Sequence, residues 1–211
     1  MREERIVLAG RELSISRPDD PESLIDESRF DEDEYLPYWT ELWPGGIALA
    51  QHVAEIQIDG ARVLELGCGL ALSSFAAALA GARVLATDWA PECLDLVERN
   101  AATTGLAVGV AALDRIAPRS PGSKGYDLGV AADVLYEERN AEPLARMLGE
   151  TVSPGGADRG SWPAARGGTR RHAAAFFGRV RAEGWSVERT RVAALPAGGI
   201  LRLWRQTRKT G

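Results

Sequence analysis

Lysine is nearly absent from this 211-residue chain: only Lys124 and Lys209 occur, leaving 23 of the 25 basic residues as arginine. Such a bias reflects GC-rich coding more than chemistry. Cysteine is also scarce, with Cys68 and Cys93 alone and no repeating spacing, which excludes a disulfide scaffold and a cysteine-rich zinc centre. No stretch approaches the ~18 apolar residues of a membrane span. The start, "MREERIVLAGREL", has no apolar signal segment, so the chain reads as cytoplasmic. Of the two histidines, His52 falls in a helical pattern and His172 among arginines, and neither reads as a catalytic base. A basic surplus is missing too: the net charge is -5, which argues against general nucleic-acid binding. Hydrophobic content of 45% with 26% charged residues excludes extensive disorder and fits one globular domain over residues 1–211.

The patterns that are present alternate. "RIVLAG" and "RELSIS" predict a short hairpin around Ala9-Gly10. Residues 19–34 carry nine acidic residues against Arg29, reading as a solvated lead-in or as an acidic rim that attracts a cationic substrate. Residues 1–40 thus form a hairpin and lead-in, and residues 41–211 the core. "RVLEL", "RVLATD", "AVGVAAL" and "DLGVAADVLY" are strand-like, separated by helical "ALSSFAAALAG" and "PECLDLVERNAATTG" and by the loop "DRIAPRSPGSKG". "EPLARMLGE" and "RRHAAAFFGRVRAEG" follow as helices, and "WSVERTRV" and "GILRLWRQ" close the chain as strands. This order predicts an α/β fold with a doubly wound, Rossmann-like, mostly parallel sheet, helices on both faces and an antiparallel strand near the carboxyl terminus.

"VLELGCGLALSS", residues 63–74, leaves a buried strand through Gly67 and Gly69 and turns straight into a helix. A glycine turn at that point lets backbone approach a ligand, and the helix start offers free N–H groups. A dinucleotide fingerprint would need a third glycine where Leu72 stands. Asp88 ends the next strand, where an acid accepts from ribose hydroxyls in nucleoside-binding α/β folds, or simply caps the following helix.

"ELWPGGIALA", "VLELGCGLALSS", "VLATDW" and "AADVLYE" resemble, in order and spacing, the seven-β-strand S-adenosylmethionine-dependent methyltransferases, of the branch related to protein-lysine methyltransferases. The resemblance covers residues 35–150 well. It implies that Glu65, Gly67 and Gly69 hold the methionine end and ribose of the cofactor, with Ala71 where the family has a third glycine. It assigns Asp88 to the ribose, Trp89 and Asp114 to the adenine, and Trp43 and Ala132 to the cofactor pocket. Asp133 and Tyr136 match the D-x-x-Y motif, which faces the acceptor amine. No metal is implied. The expected activity is methyl transfer from S-adenosylmethionine to an amine of a protein lysine or a small molecule, leaving S-adenosylhomocysteine. No nucleic-acid or membrane partner is expected. A non-catalytic cofactor-binding module is an alternative. A nicotinamide-dependent dehydrogenase is disfavoured by Leu72 and by the lack of a catalytic His, Tyr-x-x-x-Lys or Cys.

One stretch breaks the pattern. "SPGGADRGSWPAARGGTRRH", residues 153–172, falls where the family has its fifth strand, yet it contains no Val, Ile, Leu, Met or Phe and has five glycines and two prolines. Buried parallel strands are aliphatic runs, and proline removes a ladder donor. Residues 155–168 are therefore predicted to form no long regular strand, with the carboxyl-terminal strands less firmly held.

Overall fold

The computed structural model describes residues 1–25, 37–113, 125–135, 138–152, 164–165, 170–195 and 199–205. At the amino end, β1 (Arg2–Leu8) and β2 (Arg11–Arg17) pair antiparallel from Arg2↔Arg17 to Leu8↔Arg11. The loop is Ala9 and Gly10, at φ of 50° and 74°. Two left-handed residues in succession give the turn whose twist matches paired strands. The hairpin docks on α3 (Pro91–Thr104), where buried Asn100 behaves like a neighbouring strand. Its side-chain oxygen accepts from Ser16 N and its amide donates to Ser16 O, both at 2.9 Å.

The main sheet contains β3 (Arg62–Leu66), β4 (Arg83–Asp88), β5 (Val108–Ala112), β6 (Leu128–Ala132), β7 (Ala164–Ala165), β8 (Trp185–Thr190) and β9 (Ile200–Arg205). Their spatial order is β5-β4-β3-β6-β7-β9-β8, parallel from β5 to β7, with β9 antiparallel to both neighbours. The remaining helices are α1 (Pro44–Val53), α2 (Leu72–Leu79), α4 (Ala141–Thr151) and α5 (Arg170–Ala182). Neighbours on β3 serve opposite faces: Val63 joins a core with Leu49, Phe75 and Val97, while Leu64 joins another with Met147, Val180 and Leu203. A strand covered on both sides buries consecutive positions, which is why Val63 and Leu64 do not alternate apolar with polar. Among the described residues, no helix is long and apolar enough to cross a membrane.

Chain order reverses between β3 and β6. The first crossovers run outward to β4 and β5, and the chain then returns to the other side of β3. At such a switch point the loops after the two strands part and leave a crevice at their carboxyl ends.

After α4, Val152 makes a parallel bridge with Tyr126, and Ala164 and Ala165 pair with Ala131 and Ala132. The described part of residues 155–168 is the two-residue β7, and the rest lies outside the described residues. By contrast, β8 and β9 pair over six residues, from Trp185↔Arg205 to Thr190↔Ile200. Among the described residues, β9 joins the rest of the sheet through only two pairings, to Ala164 and Ala165.

Candidate functional site

The glycine turn follows β3 into α2. Gly67, Gly69 and Ala71 take φ of 62°, 50° and 57°, three left-handed positions in five residues. Glycine adopts this backbone freely, and alanine does so under strain. The turn is also tightly walled. A Cβ on Gly67 would come 2.8 Å from Val134 Cγ1, after β6, and one on Gly69 would come 3.3 Å from Trp39 O. Leu72, in the third dinucleotide place, is a buried side chain in the first turn of α2.

Asp88, at the end of β4, fastens this turn to the neighbouring strand. One carboxylate oxygen accepts from Gly69 N at 3.0 Å; the other accepts from Trp89 N at 2.8 Å and Ala90 N at 3.2 Å. Asp88 is buried, which raises its pKa against the pull of those three N–H donors. The carboxylate thus holds the two residues that lead into α3 and the glycine turn together. Trp89 is partly buried against the core beside it.

Glu65, one strand over, is 2% exposed. Its side chain accepts from the backbone N–H of Ser74, at 2.9 Å, and from the Ser74 hydroxyl. It thereby caps the start of α2 from outside the helix. Burial raises its pKa to about 7, against 4.5 for an ordinary glutamate. The folded protein thus retains a proton that the unfolded chain releases first. This group's stabilising contribution is full below about pH 4.5, declines as pH rises toward 7 and is level above. The difference amounts to about 3 kcal/mol. Glu65→Gln, whose amide oxygen still accepts from Ser74, is expected to flatten that decline in urea unfolding series. An unchanged slope would remove Glu65 as its source.

The opposite wall is built from the segment before α1. Trp43 is the N-cap of α1, 44% exposed, with Nε1 donating to Tyr38 O at 2.9 Å and its ring edge-on to Tyr38 at 6.2 Å. Arg17, invisible as a functional residue in the sequence, anchors this segment. Buried at the end of β2, it donates to Glu4 at 3.0 Å, Glu41 at 3.2 Å and Thr40 O at 3.4 Å. The hairpin is therefore tied through Arg17 to the segment that leads into α1.

Ala132 ends β6, partly buried against the core, and Asp133 follows at φ 54°. Aspartate is among the few residues that tolerate this conformation. Its carboxylate lies against the Pro44-Gly45-Gly46 start of α1, where a Cβ on Gly45 would fall 2.1 Å from Oδ2. The loop beyond is tied by Asn140, whose amide donates to Val134 O at 2.9 Å. The structure thus ties the glycine turn to Asp88, sets it against Val134 beyond β6 and against Trp39, and places Asp133 against the start of α1. Asp114 and Tyr136 lie outside the described residues. A separate cavity of about 610 Å³ is lined by His52, Asp59, Asp127 and Arg202 and touches none of the site residues named above.

A family model described as lysine methyltransferase matches residues 28–159, more than half of the chain. The electron transfer flavoprotein beta subunit lysine methyltransferase of Danio rerio is 35% identical over 116 residues, covering 53% of this chain and 44% of that protein. The ubiquinone biosynthesis O-methyltransferase of Xanthomonas euvesicatoria pv. vesicatoria is 31% identical over 103 residues, covering 48% and 42%. The chain thus spans less than half the length of either relative. Among solved structures, magnesium protoporphyrin IX methyltransferase from Synechocystis PCC 6803, with SAM bound, aligns at a TM-score of 0.62. It is 16% identical and covers 91% of this chain and all of that one, a likeness of fold. On the match to its family model, carried by the segment that builds the crevice, the chain belongs to the lysine methyltransferase family.

Proposed function

We propose that this protein transfers a methyl group from S-adenosylmethionine to the side-chain amine of a lysine in a partner protein. The observation that carries the reading is the crevice itself: the side-chain-free turn at Gly67 and Gly69, held by the buried Asp88 carboxylate, opens beside Asp133. These residues fit the cofactor. Backbone can approach it at the two left-handed glycines. Three of the four lone pairs of the Asp88 carboxylate accept from Gly69, Trp89 and Ala90, which leaves one on Oδ2 for a ribose hydroxyl. Trp43 offers an exposed ring at the mouth and Trp89 a flank for the adenine, with Ala132 in the wall and Asp114 as its further contact. Glu65 supports the site from beneath, through the start of α2.

The bound cofactor supplies an already activated methyl group on a sulfonium. The chain's task is then to orient an uncharged amine and to stabilise the positive charge that grows on nitrogen. Asp133 is suited to both, being a carboxylate fixed by a left-handed backbone against the start of α1. Tyr136 completes the acceptor side.

S-adenosylhomocysteine is expected to raise the melting temperature, and Asp88→Ala to weaken its binding by about 1–3 kcal/mol through the stranded ribose hydroxyls. Calorimetry that finds equal affinity in the variant would take Asp88 out of the site. The likeness to an O-methyltransferase favours a second reading, methylation of a hydroxyl. Labelled cofactor incubated with cell lysate separates the two: label recovered as methyl-lysine in protein supports the first, and label in a small O-methylated product overturns it.

A further inference from the structure

Cys68 and Cys93, remote in sequence, meet beneath the glycine turn. Cys68 sits between Gly67 and Gly69, and Cys93 lies in the first turn of α3, so folding brings β3's exit against the helix that follows β4. Both are buried free thiols. Both sulfurs are directed at one carbonyl: Sγ of Cys93 donates to Gly69 O at 3.1 Å, and Sγ of Cys68 at 3.7 Å. The N–H of the same Gly69 is the group held by Asp88. The two sulfurs and an Asp88 oxygen all lie within 4.8 Å of one another.

Two thiols and one carboxylate form a donor set suited to soft divalent cations, whereas magnesium and calcium take oxygen shells. Tetrahedral zinc with bonds of about 2.3 Å to sulfur separates two sulfurs by about 3.8 Å, a separation compatible with donors that lie within 4.8 Å of one another. The Gly69 carbonyl stands beside them as a fourth donor.

We propose that Cys68, Cys93 and Asp88 bind a soft divalent cation, and that this cation and the nucleoside cofactor exclude each other. On binding, two S–H bonds break and two metal–sulfur bonds form. Asp88 gives one oxygen, two protons pass to solvent, and no electron is transferred. The exclusion rests on the function proposed above: the carboxylate that would accept from ribose hydroxyls is drawn to the cation, and the Gly69 turn follows it.

The probe is cadmium chloride added to the full chain, followed through thiolate-to-cadmium ultraviolet absorption. One equivalent per chain is expected, with affinity reduced at least tenfold in Cys68→Ser and in Cys93→Ser. Cys68→Ala and Cys93→Ala serve where a serine variant does not fold. S-adenosylhomocysteine affinity is expected to fall at least tenfold in the cadmium-loaded protein, to return on adding a chelator and to ignore cadmium in Cys93→Ser. Absence of the band, or a band that survives both single substitutions, overturns the site. Equal S-adenosylhomocysteine affinity with and without cadmium overturns the exclusion. If S-adenosylhomocysteine fails to bind the metal-free protein, the proposed function and the exclusion that rests on it fall together, while the absorption result still decides the cation site.

Discussion

Gly45→Ala is expected to lower methyl transfer about 100-fold while leaving S-adenosylhomocysteine affinity within threefold. The added Cβ would lie 2.1 Å from Asp133 Oδ2 and 2.6 Å from both Cγ and Oδ1, far inside contact distance. Something has to move. Asp133 has a short side chain on a backbone already committed to φ 54° at the end of β6, so its carboxylate shifts with the chain. Displacing a positioned group by about 1 Å costs on the order of 100-fold in rate. The stability of the same variant tests the contact without reference to activity. Gly45 is the second residue of α1, and alanine in a helix is favoured over glycine by up to about 1 kcal/mol. Gly45→Ala should nevertheless destabilise the wild-type chain. In an Asp133→Ala background, where the space is vacated, the same substitution should stabilise it and leave the residual rate unchanged. Stabilisation in both backgrounds would show that Gly45 and Asp133 do not compete for that space.

The order of elements was legible because it depends on local pattern. The adjacent apolar pair Val63-Leu64 in "RVLEL" must be buried on both faces, and Pro91 and Gly105 bracket α3, the latter as its left-handed C-cap at φ 70°. The glycine turn and Asp88 were legible as a pair because left-handed backbone and a strand-end acid leave marks in sequence. What stayed hidden is what only tertiary contact creates. Gly45 reads as one more turn glycine until β6 brings Asp133 against it. Arg17 reads as a strand-end charge until Glu4 and Glu41 close on it from separate segments. Cys68 and Cys93 carry no spacing signal, since a βαβ crossover and not a motif joins them. Residues 153–172 are poor in aliphatic side chains, and within 155–168 the described residues are Ala164 and Ala165, paired with Ala131 and Ala132.

Asp133→Asn is expected to cost methyl transfer about 100- to 10,000-fold, the range for a group that acts on the proton or charge of the reacting atom. Asparagine has nearly the same shape and shares aspartate's tolerance of left-handed backbone, so φ 54° should persist and the fold with it. What disappears is the negative charge. An amine attacking a sulfonium methyl turns from neutral to cationic in the transition state, and a fixed anion beside it stabilises the later species more than the earlier one. The loss should therefore appear in kcat as well as in acceptor KM. S-adenosylhomocysteine affinity should stay within about twofold, because the proposed site assigns the cofactor to the backbone at Gly67 and Gly69 and to the Asp88 carboxylate. Single-turnover kinetics with saturating cofactor, set beside calorimetric titration of S-adenosylhomocysteine, separate the two effects. Parallel losses in rate and cofactor affinity would place Asp133 in the cofactor pocket, and an unchanged rate would leave the charge on nitrogen to be stabilised by another group.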